Sequence, residues 1–578
     1  MREHRLIIIL GLLLTLLIEA PILVFPFVSK NYQGINIPHF GTDSHFYLSR
    51  AKEALEGRGM GNPWLRDGKE RQDIMFMYNE RVFTAPIRFL GFVDRINVIT
   101  LYNIYNFIGI FALVLLAYFF VWQLSGSRLL SAVAAVSAIG GYHVVYRQFL
   151  YNDFNIYGRP MFPYVSSLAF FAYLNLLILW LRTKKFISGF FSAVALGSLF
   201  YIYFFAWTFA LAFNGALFLL YFLKREWAPA KSLVFISAVG MLIGFYNLFQ
   251  MWALFQSDIG AQIAYFHWSS RTHLPIFSKI GAAMLLLFAL FWHRKRDNAN
   301  IILIFALVLA GWISLNQQII TGKAVEIGHY YWYFIVPLSI LTGLYMLWEL
   351  LDGFALRRQL FASMLVVVFL HGAFGQYRSF WTTLPGKEYE QSYQPIIAEL
   401  KKDANPGVVL AADDHLAYLT TIYTNHDLFW AGAASQTIIP FSRFSDMLYV
   451  YAYLNKEARG NFAGYLRGVM SDGADYSFYK GLYGFIEGFS SGMDYYDYIY
   501  KAKADKNVIG PHRERLISEL SQKYSQLTAN GGVAGLLNKY GVKYIVWDKN
   551  KNPEWDLSFL NLELLIAHNN IDLYRVIY

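Results

Sequence analysis

The chain has 578 residues, 56% of them hydrophobic, 19% aromatic and 15% charged, with a formal net charge of +10 and no cysteine. Such a composition excludes an ordinary soluble globular protein, and the lack of cysteine excludes disulfide frameworks, thiol nucleophiles and cysteine metal sites. The basic residues sit in short clusters between apolar runs, which makes them topology signals and argues against nucleic acid as a partner.

The N-terminal Met1-Arg2-Glu3-His4-Arg5 precedes an apolar run, Leu6 to Val28, that is too long for a signal h-region and is predicted to be a retained first helix. Apolar stretches near the ~20 residues needed to cross the hydrocarbon recur at 6–28, 98–122, 128–146, 163–181, 186–203, 206–223, 232–256, 274–292, 299–316, 332–351 and 359–378. The run 186–223 is divided at the aromatic cluster Tyr201 to Trp207, as befits an interface. The expected fold is an α-helical polytopic membrane protein of about eleven spans. Every second connection is basic: Arg128, Arg182/Lys184/Lys185, Lys224/Arg225/Lys231, Arg294/Lys295/Arg296 and Arg357/Arg358. The positive-inside rule then puts the N-terminus in the cytoplasm and residues 29–97 and 379–578 outside, in a plasma-membrane protein.

In the first outer loop, 29–97, Asp43-Ser44 can cap a helix whose Tyr47, Leu48, Ala51, Ala54 and Leu55 share a face before Gly57 and Gly59 end it. Gly61-Asn62-Pro63-Trp64 reads as a turn, and Arg81 to Leu90 as an amphipathic helix in the interface, so the loop is expected to rest on the membrane surface. After 378 the composition turns polar. Residues 379–578 are predicted to form an extracytoplasmic α/β domain, with a strand and turn over Gly407 to Asp414, a helix at Gly532 to Tyr540 leading into a strand at Val542 to Trp547, and a last strand at Ile571 to Val576. A Tyr-rich region, 445–500, suits either sugar stacking or packing.

The distinctive polar residues all fall on the predicted outer side: Asp43 and His45; Asp153 and Arg159; His267, Arg271 and His273; Lys323, Glu326 and His329. Acids, bases and cations at an outer interface suit chemistry on a lipid-anchored phosphate. Nucleotide, zinc-protease and serine-hydrolase motifs are absent. Asp43 reads equally as a helix cap, Asp153 as a partner of Arg147 or Arg159 or as a contact to metal or acceptor, and Arg159 as a phosphate ligand or a headgroup contact. His267 and His273, six apart, do not share a helix face, and no metal ligand set is assigned.

One helix, a long outer loop carrying Gly41-Thr42-Asp43-Ser44-His45-Phe46-Tyr47-Leu48-Ser49-Arg50, a many-helix bundle over residues 1–378 and an α/β tail together resemble the GT-C membrane glycosyltransferases. That resemblance implies a polyprenyl-phosphate sugar donor, a glycan, lipid or protein acceptor in the envelope, and Asp43 as general base for inverting attack at the anomeric carbon. The second-loop acid of some relatives maps onto Asp153. The segment Asn316 to Lys323 followed by Gly328-His329-Tyr330-Tyr331 resembles members in which Lys323, His329 and Tyr330 would hold the lipid phosphate, with Arg159 and Arg271 as further cations. A divalent metal is optional in this scheme, and no other cofactor is implied. Ser44 stands where protein mannosyltransferases and lipid A aminoarabinose transferases carry a second acid, and the oligosaccharyltransferase WWDYG signature is absent, so those three activities are not favoured. Two other readings stay open: a transporter or flippase of lipid-linked oligosaccharide, and a non-catalytic envelope-assembly protein.

Overall fold

The computed structural model describes residues 4–37, 42–141, 153–257, 259–266, 270–411, 414–437, 439–471, 478–499 and 506–578. Arg147, His267 and the turn expected at 412–413 lie outside them.

Helix α1 (Arg5–Val28) is followed by two helices of the long first loop, α2 (Thr42–Glu56) and α3 (Asn79–Phe89). The bundle continues with α4 (Val98–Ser125), α5 (Arg128–Ile139), α6 (Tyr164–Thr183), α7 (Phe186–Ile202), α8 (Phe204–Leu223) and α9 (Trp227–Phe255). It ends with α10 (Lys279–Arg294), α11 (Ile301–Leu315), α12 (Ile327–Leu350) and α13 (Arg357–Glu390). Among the described residues eight of these helices are long and apolar enough to cross a membrane. The expected spans at α5, α7 and α10 are helical but shorter, at 12, 17 and 16 residues. Helix α9 is apolar all round and buries little of itself: Leu242, Phe245 and Trp252 are 75%, 61% and 60% exposed. A helix of that kind needs lipid as its solvent.

The run 186–223 breaks at a single extended residue, Tyr203. A break in a buried stretch of helix frees carbonyls that need other donors, and the chain supplies them. Asn79 Nδ2 donates to Ile202 O at 2.9 Å, the Tyr78 amide to Tyr201 O at 3.0 Å, and Asn247 Nδ2 to Phe200 O. Three of the basic connections, at Arg182, Lys295 and Arg357, come together at one end of the bundle. There Asn300 bonds Leu124 O, Arg182 and Tyr345, while Lys295 and Arg357 share Asp352. The first loop, the loop before α6, Tyr203 and the start of α12 meet at the other.

Helix α13 has 34 residues and runs without interruption past residue 378 to Glu390, about 50 Å of helix. It delivers the chain into a C-terminal region built on a mixed five-stranded sheet. The strands are β3 (Val408–Ala411), β4 (Asp427–Leu428), β5 (Val542–Asp548), β6 (Leu562–His568) and β7 (Ile571–Val576), in the order β4-β3-β5-β7-β6, after a two-stranded ribbon of β1 (Ser270–Arg271) and β2 (Lys323–Ala324) in the bundle loops. Strand β3 is parallel to β4 and β5, whereas β7 is antiparallel to β5 and β6. Helix α14 (Asp414–Tyr423) covers β3. In the Tyr-rich region Tyr449, Tyr451, Tyr483 and Tyr498 are buried, so these rings pack.

The first loop departs from expectation. Helix α3 does present Val82, Phe89 and Leu90 to the surroundings beside exposed Arg81 and Arg88. Other parts of the loop are bonded to the C-terminal region: Gln391 accepts from the Gln33 and Ile35 amides, Leu428 N donates to Trp64 O at 2.7 Å, and Lys69 pairs with both Glu53 and Asp427. The hydrophobic pattern of α2 could not reveal this, because its polar residues are buried as well.

Candidate functional site

Helix α2 uses two faces, each with the i, i+4, i+7 spacing of a helical stripe. Asp43 and Tyr47 meet Arg159 and Phe162 of the loop before α6, and Arg50 on the same face meets Asp73 and Glu80 of the first loop. His45, Ser49 and Lys52 look toward the C-terminal region, where Ser49 Oγ lies 2.9 Å from Thr421 Oγ1 and Lys52 Nζ donates to Asn425 at 3.0 Å. Asp43 stands in the first turn, where a carboxylate meets the positive end of the helix dipole, rather than before the helix as a cap.

Asp43 is ion-paired with Arg159; the carboxylate side chain is 57% exposed and the arginine side chain 20%. The arginine is aimed by a well-anchored loop. Asn155 accepts from the Tyr157 amide, donates to Ile139 O at 2.8 Å and takes its own amide bond to Gln376, while Asn106 holds Gly158 O. Arg159 Nε is buried without a hydrogen-bond partner among the described residues, so the guanidinium keeps donor capacity beyond its ion pair. Arg159 is also near enough to Tyr203 and His329 to act on both electrostatically.

A column of rings connects these groups. Tyr47 meets Phe162 at 5.3 Å, Phe162 stacks on Tyr203 at 4.5 Å, and His329 stacks on Tyr333 at 5.3 Å with nearly parallel planes. The Tyr203 hydroxyl is 2.9 Å from His329 Nδ1, and Glu326 Oε2 is 3.5 Å from the same nitrogen. Burial pushes the Glu326 carboxyl above its ordinary range. His329 opens α12 just before a π-helical turn, Tyr331–Ile335, a feature common at functional sites.

The structure thus brings Asp43, Arg159 and His329 into one neighbourhood. The other candidates are placed differently. Arg271 lies opposite Lys323 across the β1–β2 ribbon, both exposed, with Gly322 in the left-handed region at the turn before Lys323. Asp494 of the C-terminal region accepts from the Arg271 amide at 3.1 Å and pairs with its guanidinium at 3.4 Å. Tyr330 is buried with its hydroxyl 2.7 Å from Thr208 Oγ1, directed into the bundle. Asp153 accepts from the Phe154 amide, and the Phe154 ring packs with Phe25 and Phe380. Among the described residues neither Asp43 nor Asp153 belongs to a cluster of three imidazole or carboxylate groups. Tyr47, Phe162, Tyr203 and Tyr333 had no signal in the sequence beyond aromatic richness. A cleft of about 690 Å³ lies at the other end of α2, lined by Lys52, Glu56, Arg58, Asp94 and Arg95 among others, and does not include Asp43.

No family model and no curated protein matches the sequence. Among solved structures the chain is similar to an oligosaccharyltransferase from Archaeoglobus fulgidus in complex with Zn and sulfate, at 9% identity and a TM-score of 0.44 over 73% of this chain and 62% of that one. It thus spans less than two thirds of that protein. It is also similar to ArnT from Cupriavidus metallidurans bound to undecaprenyl phosphate, at 12% identity and a TM-score of 0.43 over 72% and 84% of the two chains. A form of the A. fulgidus enzyme tethered to an acceptor peptide matches 98% of this chain and 74% of its own, at 10% identity and a TM-score of 0.46.

Proposed function

We propose that the protein is a membrane glycosyltransferase that moves a sugar from a polyprenyl-phosphate donor to an envelope glycan, lipid or protein acceptor, with inversion. The observation that carries this reading is the pairing of Asp43 with Arg159 beside His329, which sets an accessible carboxylate and a cation together at one end of an apolar helix bundle. A lipid-anchored phosphate presents its head group at that depth. The non-basic end of the bundle is the outer one in this reading.

The donor phosphate takes Arg159, whose fork suits phosphate geometry, and so releases the Asp43 carboxylate. Asp43 then accepts the proton of the acceptor hydroxyl. That oxygen bonds to the anomeric carbon from the face opposite the phosphate, the carbon–oxygen bond to phosphate breaks, and polyprenyl phosphate leaves with the electron pair. Arg159 holds the charge that develops on the leaving group, and Lys323, on its exposed ribbon, is the second cation. The Tyr203–His329 pair aligns the aromatic wall beside the phosphate.

The test is transfer of radiolabelled sugar from a panel of polyprenyl-phosphate donors to membrane extract, comparing the purified protein with Asp43→Asn. Asn retains the size and helix position of Asp but cannot take the proton, so a fall of ~10²-fold or more is expected. Equal rates would remove Asp43 from the mechanism, and no transfer from any donor by folded wild-type protein would overturn the assignment.

A further inference from the structure

The second face of α2 leads to a different chemistry. His45 is fully buried, and its ring centroid lies 4.4 Å from that of His415, the second residue of α14. His415 Nε2 contacts the carboxylate of Glu390, the last residue of α13, which is 4% exposed. One ligand atom from each of the three lies within 4.8 Å of the other two. His45 comes from the first loop, and Glu390 and His415 stand 25 residues apart at the end of α13 and the start of α14; the segments around them are held by other bonds. Lys387, one turn before Glu390, donates to Ile37 O at 2.9 Å; Ser49, one turn after His45, contacts Thr421; and the Asp414 side chain accepts from the Gly432 amide.

We propose that His45, Glu390 and His415 form a site for a divalent cation of the zinc class. Two imidazoles and one carboxylate are a ligand set zinc accepts, whereas magnesium and calcium call for oxygen. Tetrahedral ligation at about 2.1 Å brings ligand atoms to about 3.4 Å from one another, so modest turns of the three side chains fill three positions and a water fills the fourth. The cation replaces the direct His415–Glu390 contact. Its position defines its role. Residues two apart on a helix do not share a face, so a cation on His45 does not touch Asp43 on the same helix. It ties α2 to α13 and α14, and His45 is a positioning residue for the helix on which Asp43 stands. The site does not depend on the activity proposed above, since it would be equally present in a transporter or scaffold.

The test uses full-length protein without a histidine tag, in detergent, equilibrated with zinc-buffered solution and then assayed for zinc by elemental analysis. The wild type is expected to retain about one equivalent, and Glu390→Gln and His415→Asn to retain at least tenfold less at the same free zinc. Cobalt titrated into metal-free wild type is expected to give the intense visible absorption of a tetrahedral ion, a readout that needs no variant to fold. Zinc should also raise the Tm of the wild type and leave that of the variants unmoved. Failure of the wild type to hold zinc or to give the cobalt spectrum overturns the site, as does equal zinc retention by the folded variants. Neither outcome bears on whether Asp43 is a base.

Discussion

Arg50 illustrates how single side chains in the first loop are committed. It is 1% exposed, with Nε 2.6 Å from Glu80 and two further nitrogens on the two oxygens of Asp73. Burial works against its charge, but Asp73 and Glu80 outweigh it and hold the guanidinium above its ordinary range. Removing one member of a buried ion group leaves the others uncompensated, at a cost of about 3–5 kcal/mol. Arg50→Met is therefore expected to lower the Tm of the purified protein by several degrees, and Glu80→Gln in the same chain to restore part of it. A melting point within a degree of wild type would show that the triad is not structural. Because Arg50 shares a helical face with Asp43, seven residues earlier, the same group also fixes the rotation at which α2 presents Asp43 to Arg159.

The element most exposed to failure is the break at Tyr203. Asn247→Leu keeps a similar volume but leaves the Phe200 carbonyl, and the Phe76 carbonyl bonded at 3.3 Å, without that donor. An unsatisfied buried acceptor costs about 1–3 kcal/mol. The expected result is faster hydrogen exchange at 199–206 together with a lower Tm, and unchanged exchange would mean that another group takes over. The position of this break was legible as the cluster Tyr201 to Trp207, because aromatic residues mark interfaces. The bundle helices were legible for a similar reason, since apolar length is a requirement of the bilayer. The end of α13 was not: composition changes where a chain leaves the hydrocarbon, near residue 378, while helical hydrogen bonding carries on to Glu390. Strand β4 has two residues, too few for a periodic signal, and β6 is partly exposed along its length without regular alternation. Asp43, Arg159 and His329 could be named from residue type and predicted side. That His45 meets Glu390 and His415 could not, because their nearest sequence separation across the loop exceeds any local pattern and only the fold brings them together.

At the scale of the whole molecule, the first loop acts as an inner layer between the helix bundle and the C-terminal region. The chain contains no cysteine, so a pair introduced as Ser49→Cys and Thr421→Cys has no competitor. Their hydroxyl oxygens are 2.9 Å apart, within the reach of a disulfide after small adjustment. Mild oxidation is expected to link the two segments quantitatively, read as a band on non-reducing gels in which proteolysis between them no longer separates the fragments. Absence of the link in folded protein would mean that the layer opens.

The same contact sets a timetable. Thr421 follows Ser49 by 372 residues, and at 5–20 residues per second a ribosome needs roughly 20–70 s to cover that distance. For that interval α2 is already made, and on the outer side in the proposed topology, with the polar residues of its second face still waiting for the strands and helices that will enclose them. The newborn chain must therefore keep a helix carrying His45, Ser49 and Lys52 unclaimed through the insertion of nearly every later span, which makes the last third of synthesis the moment at which the first loop can finish folding.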